Sequence, residues 1–245
     1  MQRAKIRQDC AKSVLKVALG DDAVEVRLRT HPRARRYTLR VPSNGQIPVL
    51  TVPGGGSEPE AMRFLERHGP WLKSRLAERP ERIPFEDGAS IPIRGQTHFI
   101  EHCPGRRGTV WLDEHAGDRL LCVAGDAQHL ARRVTDWLRA EARRDLEPAV
   151  LSLCETLHAR AKSIRIGDPK TRWGSCSTTG RLSFSWRLIM APPFVLSYLA
   201  AHEVAHFKEM NHSARFWRLV RELCSETDRA EAWLKAHGRT LHRYG

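Results

Sequence analysis

The chain has 245 residues, with 41 Lys and Arg against 28 Asp and Glu, which gives a formal net charge of +13 at pH 7. Hydrophobic residues make up 41% of it, which excludes a disordered chain, and no apolar run reaches the roughly 18 residues of a membrane-spanning helix. The basic N-terminus also lacks the apolar region of a signal peptide. We therefore expect a globular, cytoplasmic protein without a membrane partner.

The positive charge is concentrated at the two ends of the chain. Residues 1–80 carry 16 basic and 8 acidic groups (+8), residues 81–150 carry 10 and 12 (−2), and residues 151–245 carry 15 and 8 (+7). Basic surfaces attract polyanions, so nucleic acid is a possible partner. However, 33 of the 41 basic residues are Arg, and genome composition explains such a bias equally well.

The cysteines are scattered along the chain and contain no C-x-x-C pair. This spacing fits neither a disulfide framework nor a zinc ribbon, so we expect reduced thiols that mostly fill the core. The six are Cys10, Cys103, Cys122, Cys154, Cys176 and Cys224.

The first predicted elements are strands followed by a helix. Between Ala23 and Val52, apolar residues recur at every second position with arginines between them, which predicts a half-buried antiparallel sheet with a basic outer face. A run of three glycines ends this pattern, and Ser57 is placed to cap a helix that reaches Arg79. The Gly-Pro pair at residues 69–70 predicts a break or kink within that helix.

Short strands and a long helix follow. A helical pattern runs from about Gln128 to Lys162, and Pro148 is expected to kink or divide it. We therefore divide the chain into a β-rich N-terminal region, residues 1–125, and a compact C-terminal core, residues 126–245. The four strands predicted before the helix are residues 90–93, 97–100, 109–112 and 119–123.

A hairpin and a third helix come next. Residues 171–177 and 182–186 predict two strands around a turn at residues 178–180, with Trp186 continuing the apolar alternation of the second strand. The Ala-Pro-Pro sequence at residues 191–193 stops this strand and begins a helix, because proline suits the first helical turn.

This helix contains the pattern H-E-x-x-H, in which His202, Glu203 and His206 are the fixed positions. On a helix of 3.6 residues per turn the two histidines lie one turn apart on nearly the same face, so both imidazoles can reach one metal ion. Glu203 is then placed to take a proton from a metal-bound water instead of binding the metal itself.

A catalytic zinc site usually has three protein ligands and leaves the fourth position to water. His212 is the best candidate for the third ligand, provided that the helix ends between His206 and His212. Asn211 can take the left-handed conformation at a helix end, and Ser213 can cap a new helix. Glu209, three residues after His206, competes with His212 as the ligand.

Residues of the preceding hairpin are candidates for contacts with the substrate. A developing oxyanion needs a donor, and Arg172 or Arg187 offers the forked donors of a guanidinium. Ser175 and Trp173 could line the same cleft, although tryptophan is more often part of a core than of a site.

These C-terminal motifs resemble those of the YgjP-like predicted metal-dependent hydrolases, zincin-type proteins related to the SprT-like and WLM metallopeptidases. Residues 33–36 and 52–53 and Gly95 also fit the N-terminal half of that family, so the resemblance covers nearly the whole chain. One departure is Ser185, where the family usually carries Asn. The motifs are T-R-W-G-S-C at residues 171–176, W-R-L at 186–188, H-E-V-A-H at 202–206 and N-H-S-x-x-F-W at 211–217.

The resemblance implies an α+β fold. Its zincin-like catalytic core would consist of a small sheet, a backing helix and the H-E-x-x-H active-site helix, joined to a β-rich N-terminal part. It also implies Zn²⁺ held by His202, His206 and His212, with Glu203 as the general base. The metzincin pattern H-E-x-x-H-x-x-G-x-x-H has the same spacing, but Glu209 stands in place of its glycine.

Three functions are consistent with these features. The first is a zinc-dependent metallopeptidase that binds an extended peptide along the edge strand of the hairpin. The second is a metal-dependent phosphohydrolase acting on nucleotides or other phosphoesters, and the third is a basic nucleic-acid-associated protein with a structural metal. Structural zinc sites are usually closed and rich in cysteine. We therefore expect an enzyme, with a peptide or an anionic small molecule as substrate.

Overall fold

The computed structural model describes residues 14–19, 22–42, 47–78 and 81–245. Cys10 and Arg79, which entered the expectations above, lie outside these residues. The chain divides into two compact units, Met1–Glu81 and Arg82–Gly245. On the basis of the sequence we divided the chain after residue 125, and this position lies inside the second unit. The assignment of the catalytic core to residues 126–245 stays a prediction. No helix among the described residues is long and apolar enough to cross a membrane.

The first unit is a four-stranded sheet with two helices, and its strand order is β1-β2-β4-β3. The expectation of an antiparallel sheet is wrong for one pair, because β2 and β4 run parallel. The chain leaves β2, forms β3 at the sheet edge and returns between them as β4. The elements are β1 (Val14–Leu19), β2 (Asp22–His31), β3 (Thr38–Arg40), β4 (Val49–Pro53), α1 (Glu58–Arg67) and α2 (Gly69–Ala77).

The helices of this unit begin and break where the sequence predicts. Ser57 is the residue before α1, and its backbone N–H donates to the Glu60 carboxylate at 3.0 Å, which satisfies one of the free donors of the helix start. The helix breaks before Gly69, which confirms the predicted interruption. Leu65 and Leu72, one from each helix, are fully buried in the core of the sheet.

The second unit begins with a four-stranded sheet of order β5-β6-β8-β7, in which β6 and β8 are parallel. Ile100, Leu121 and Val123 from its inner face belong to the same buried core as the long helix α3. The elements are β5 (Ser90–Ile93), β6 (Gln96–Cys103), β7 (Val110–His115), β8 (Asp118–Ala124) and α3 (Leu130–Thr156).

Helix α3 is one continuous element of 27 residues, and Pro148 lies within it without dividing it. Proline removes one main-chain hydrogen bond of a helix, but Leu146 and Val150 on either side are fully buried and hold the turn in place. The helix ends earlier than expected because His158 has a positive φ of 48°. This left-handed residue closes the helix end, with the Ala159 N–H donating to Cys154 O at 2.8 Å.

The remaining elements form the part of the second unit that carries the H-E-x-x-H motif. The sheet order is β10-β11-β9, with β10 antiparallel and β9 parallel to β11. Residues 186–190 form a 3₁₀ helix, so the expected continuation of the strand through Trp186 is wrong. The elements are β9 (Ser163–Gly167), β10 (Gly174–Cys176), β11 (Arg181–Ser185), α4 (Pro193–Ala205), α5 (Ala214–Leu223) and α6 (Thr227–His237).

The mixed helices and sheets confirm the α+β class. Within the described residues, the two hydrophobic cores belong to one unit each. Helix α3 supplies the longest stripe of the larger core, and the 3₁₀ helix and α4 pack on it. The stability of the second unit should therefore depend on the buried face of α3.

Two leucines of α3 test this dependence. Leu146 is fully buried, whereas Leu151 is 56% exposed. Leu146→Ala should lower the free energy of unfolding by about 2–5 kcal/mol, because it leaves a cavity in the core. Leu151→Ala should change it by less than about 0.5 kcal/mol. Chemical denaturation followed by circular dichroism measures both, and equal losses would contradict the assignment of the buried face.

Candidate metal centre

Helix α4 brings the first two histidines together. Pro192 precedes the helix and Pro193 begins it, and the fixed φ of proline suits this position. His202 lies in the last turn and His206 is the residue that ends the helix. Their ring centroids are 5.2 Å apart, as the spacing of four residues predicts.

The chain reverses directly after α4 and returns the third histidine to the same point. The Lys208 and Glu209 N–H groups both donate to Ala205 O, at 3.0 and 3.1 Å. Asn211 is not among the described non-glycine residues with positive φ, so the expected left-handed conformation at Asn211 is wrong and main-chain hydrogen bonds close the turn. Ser213 begins α5 as predicted, with its Oγ accepting from the Phe216 N–H at 3.3 Å.

The candidate ligand atoms of His202, His206 and His212 all lie within 4.8 Å of one another. Nε2 of His202 and Nε2 of His212 are 3.1 Å apart. Two nitrogens bound tetrahedrally to one zinc ion would be about 3.3 Å apart, given Zn–N bonds of about 2.0–2.1 Å. The three imidazoles therefore fit a metal ion of this size.

Glu209 contributes through its main chain. Nδ1 of His206 lies 3.0 Å from Glu209 O, so this nitrogen carries the proton and Nε2 of His206 keeps its lone pair. The group that can hold a metal ion includes His212 and not the Glu209 carboxylate. Of the two candidates for a third ligand, the geometry favours His212.

A second pair of side chains orients His202. The Tyr198 hydroxyl donates to Glu231 Oε1 at 3.2 Å and lies 3.4 Å from Nδ1 of His202. Because the hydroxyl proton points to Glu231, its oxygen is free to accept from Nδ1–H, which leaves Nε2 of His202 for a metal. Burial, aided by the nearby imidazoles of His206 and His212, lowers the pKa of His202 to about 4 and keeps it neutral.

Two aromatic rings, those of Phe216 and Trp217, pack against the imidazoles. The Phe216 ring is fully buried, and its centroid lies 4.9, 4.6 and 4.7 Å from those of His202, His206 and His212. Trp217 lies beside His202 and His212 at 5.7 and 5.9 Å. These apolar rings restrict the imidazole rotamers, so the cluster is organised before any ligand binds.

Glu203 is buried next to the histidines, at 4% exposure. Burial raises the pKa of its carboxyl to about 7, and the nearby positive charge of Arg172 opposes this shift. Room for the carboxylate comes from Gly174 on β10, where an added Cβ would lie 2.8 Å from both Cγ and Cδ of Glu203 and closer still to Oε1. Glycine at this position therefore fixes where the carboxylate lies.

The other predicted substrate residues have different environments. Arg172 is exposed, and Ser175 is half-buried in the middle of β10, which lies at an edge of its described sheet. Arg187 instead is buried, and it donates to Asp168 Oδ1 at 2.8 Å and to the Leu241 and Tyr244 carbonyls at 2.9 and 2.6 Å. Its donors bind the C-terminal segment, so we do not retain it as an oxyanion donor.

Four residues of the centre had no assigned role in the sequence. Tyr198 has a local signal, since it lies four residues before His202 on the same helix face. Gly174 and Phe216 fell within motifs, but nothing in their spacing showed that they contact Glu203 or the imidazoles. Glu231 is 33 residues from its partner Tyr198, and only the packing of α6 on α4 brings it there.

Comparison with known proteins identifies the family. The family model for the YgjP-like metallopeptidase domain matches residues 35–237 of this chain. The chain belongs to this YgjP-like family. No curated protein matches it. The crystal structure of the metallopeptidase zymogen of Pyrococcus abyssi abylysin is similar over 37% of this chain and 95% of its own, with 24% identity and a TM-score of 0.32.

Membership of the YgjP-like family makes the protein a hydrolase of the metallopeptidase type and implies a metal ion. The three-histidine group lies within residues 35–237 and is a group of described residues that can hold one. The match also includes much of the first unit, so the family is not confined to the histidine-bearing part of the chain.

Gly174 provides a test of the carboxylate position in this YgjP-like protein. Gly174→Ala should displace the Glu203 carboxylate and lower peptide hydrolysis on the order of 100-fold, the contribution of a positioned acid–base group. Bound metal, measured by elemental analysis, should not change. Gly167→Ala on β9 is the control, because its Cβ would meet only Pro169 Cδ at 3.9 Å. Full activity in Gly174→Ala would contradict the steric argument.

Tyr198 tests the orientation of His202. Tyr198→Phe removes the hydroxyl between Glu231 and Nδ1 of His202, so metal affinity should fall about 10–100-fold, as for other partners of ligating histidines. Competition with a chromophoric chelator measures the affinity. Tyr37→Phe, in the other compact unit, removes a hydroxyl that donates to Glu60 at 3.1 Å and should leave affinity unchanged. An unaltered affinity in Tyr198→Phe would show that the hydroxyl does not orient the imidazole.

Proposed function

We propose that this protein is a zinc-dependent metallopeptidase, in which His202, His206 and His212 bind Zn²⁺ and Glu203 is the general base. The observation that carries the proposal is the convergence of three imidazole nitrogens within 4.8 Å beside a buried carboxylate. Three protein nitrogens leave one position of a tetrahedral ion open, which is typical of catalytic and not structural sites.

The donor set supports zinc. Three neutral imidazoles suit zinc and other first-row ions better than Mg²⁺ or Ca²⁺, which prefer oxygen ligands. When bound, zinc supplies a Lewis acid that polarises the scissile carbonyl and makes water acidic enough to be deprotonated near neutral pH. Residues 126–245 contain all three proposed ligands and the base, so we place the catalytic core there, in a zincin-like arrangement of the SprT-like type.

Glu203 performs the proton transfers in this proposal. Its carboxylate takes a proton from the attacking water and returns it to the amide nitrogen of the leaving peptide. Two features support this role: the side chain follows a ligand directly on α4, and Gly174 leaves the space that the carboxylate occupies. A buried carboxylate surrounded by little water also takes up and then releases a proton at low reorganisation cost.

The substrate would lie along β10. This strand is at the edge of its sheet in the described structure, and an extended peptide can add to such an edge through main-chain hydrogen bonds. Ser175 lies in the middle of β10. Arg172 precedes β10, and its positive charge is close enough to oppose the rise in the pKa of Glu203. We assign Arg172 to the substrate carbonyl oxygen and Ser175 to the bound peptide.

One observation favours a second candidate, a phosphohydrolase that acts on nucleotides or other phosphoesters. Arg172 is an exposed cation next to the proposed base, and guanidinium groups bind phosphate as readily as carbonyl oxygen. The third candidate, a nucleic-acid-associated protein with a structural metal, has only the net charge in its favour. We therefore rank it below both enzymes.

A hydrolysis panel tests these alternatives. Zinc-loaded protein is assayed with peptides, nucleoside triphosphates and phosphodiesters beside three variants. We expect peptide cleavage that falls about 10²–10⁴-fold in Glu203→Gln, because the positioned base is lost, with zinc content unchanged. His206→Ala should lose activity together with the zinc held by the three histidines. Cleavage of phosphoesters alone would favour the second candidate.

Glu209→Gln is the matched control, because Glu209 contacts His206 through its main-chain carbonyl. This variant should keep both zinc and activity. Peptide hydrolysis that persists in purified Glu203→Gln would exclude Glu203 as the base. Zinc retained at full stoichiometry in His206→Ala would exclude the three-histidine ligand set.

A further inference from the structure

A second cluster of metal-ligating atoms lies in the β5–β8 sheet. The carboxylate of Glu101 and the thiols of Cys103 and Cys122 have ligand atoms that all lie within 4.8 Å of one another. Glu101 is paired with Cys122 in the register of the parallel strands β6 and β8, and Cys103 lies two residues further along β6. Both thiols are free.

The cluster occupies the face of the sheet that points away from the core. Side chains alternate between the two faces of a strand, and Leu121 and Val123, on either side of Cys122, belong to the core with α3. Strand β7 completes this face, because Trp111 is paired with Cys122 in the antiparallel register. Three adjacent strands therefore contribute to one surface.

These side chains line a cavity of about 230 Å³. Asp113 from β7 lines it as well, and its charge is close enough to act on the Cys122 thiol. His115 lines the cavity from the end of the same strand. Two thiols, three carboxylates and an imidazole thus belong to the lining of a space that is large enough for an ion and several water molecules.

Acidic residues outnumber basic ones among the described residues that line the cavity. Arg106 is the one basic residue of this described lining besides histidine, and its guanidinium carbon lies over the Trp111 ring, 5.8 Å from the centroid. Glu101, Asp113 and Glu114 supply negative charge at the lining. A cation in the cavity would meet this charge and the sulfur atoms of Cys103 and Cys122 together.

The chemistry of the donors selects the ion. Sulfur ligands prefer zinc and similar borderline or soft cations, whereas Mg²⁺ and Ca²⁺ prefer sites built from oxygen alone. On binding, each of the two thiols releases its proton to solvent and forms a sulfur–metal bond, so two protons leave for each divalent ion bound. No electron transfer is required.

We propose that Cys103, Cys122 and Glu101 form a second metal site, specific for a thiolate-preferring divalent cation such as zinc, with Asp113 adding negative charge at the lining of the cavity. The site shares no residue with the histidine centre and does not depend on the proposed peptidase activity. A metal there joins the parallel strands β6 and β8 across their outer face. Its expected role is therefore structural.

Cobalt(II) titration of the reduced protein tests the proposal, because bound cobalt gives a near-ultraviolet charge-transfer band only when a thiolate is its ligand. The three histidines of the other centre supply nitrogen ligands, which do not themselves give this band. We expect a saturable band in the wild-type chain and in His206→Ala. It should fall at least about two-fold in Cys103→Ser and in Cys122→Ser, since each removes one of two thiolates.

Two cysteine variants serve as controls and should keep the band. Cys224→Ser alters a half-buried thiol outside both clusters, and Cys176→Ser alters a thiol close enough to Glu203 to be affected by its charge. Glu101→Gln, at an exposed position, should weaken cobalt binding without disturbing the core. Together with Cys103→Ser, it carries the test if the buried Cys122→Ser does not fold.

Several outcomes would overturn the proposal. A wild-type chain with all thiols reduced and no charge-transfer band has no such site. A band that survives Cys103→Ser and Glu101→Gln but disappears in Cys176→Ser would place the thiolate at the histidine centre. A further outcome is a disulfide between Cys103 and Cys122 in the purified chain. If reduction of that disulfide does not improve cobalt binding, the two residues are a redox pair and not a metal site.

Discussion

The ending of α4 at His206 is the constraint on which the metal centre depends. If the helix continued to residue 212, the six steps from His206 would rotate His212 by about 240°, away from the other two imidazoles. The main-chain hydrogen bonds from Lys208 and Glu209 to Ala205 close the helix instead. The same reversal directs Glu209 O at Nδ1 of His206, so one turn both brings His212 to the other two imidazoles and orients His206.

Burial of α4 explains why so many polar groups of the centre have specific partners. The helix is apolar along most of its length and packs in the core with α3. Ionisable side chains at its end are costly to bury alone, and both histidines have a compensating contact: Glu209 O for His206, and Tyr198 for His202. Glu203 has instead the space beside Gly174, which leaves its carboxylate available for chemistry.

Local patterns in the sequence were enough for helices α1 to α5, most strands and the grouping of the three histidines, whereas α6 was not predicted. The four-residue spacing on α4 and the cap at Ser213 act over one or two turns, and such short-range effects are readable from one chain. The sheet order and the parallel pairing of β2 with β4 could not be predicted in this way, because they depend on contacts between strands that are distant in the sequence. Arg187 shows the same limit: its position in a motif suggested substrate, whereas its partners Leu241 and Tyr244 lie more than 50 residues away.

The two metal-ligating clusters arise from the two ways in which a fold can gather ligands. His202 and His206 are neighbours because a helix repeats every 3.6 residues, so sequence spacing alone revealed them. Cys103 and Cys122 are 19 residues apart, and only the register of β6 with β8 brings their sulfurs together. A scattered cysteine pattern therefore does not exclude a thiolate site in a sheet protein. The absence of C-x-x-C excludes only those sites whose ligands come from a single turn.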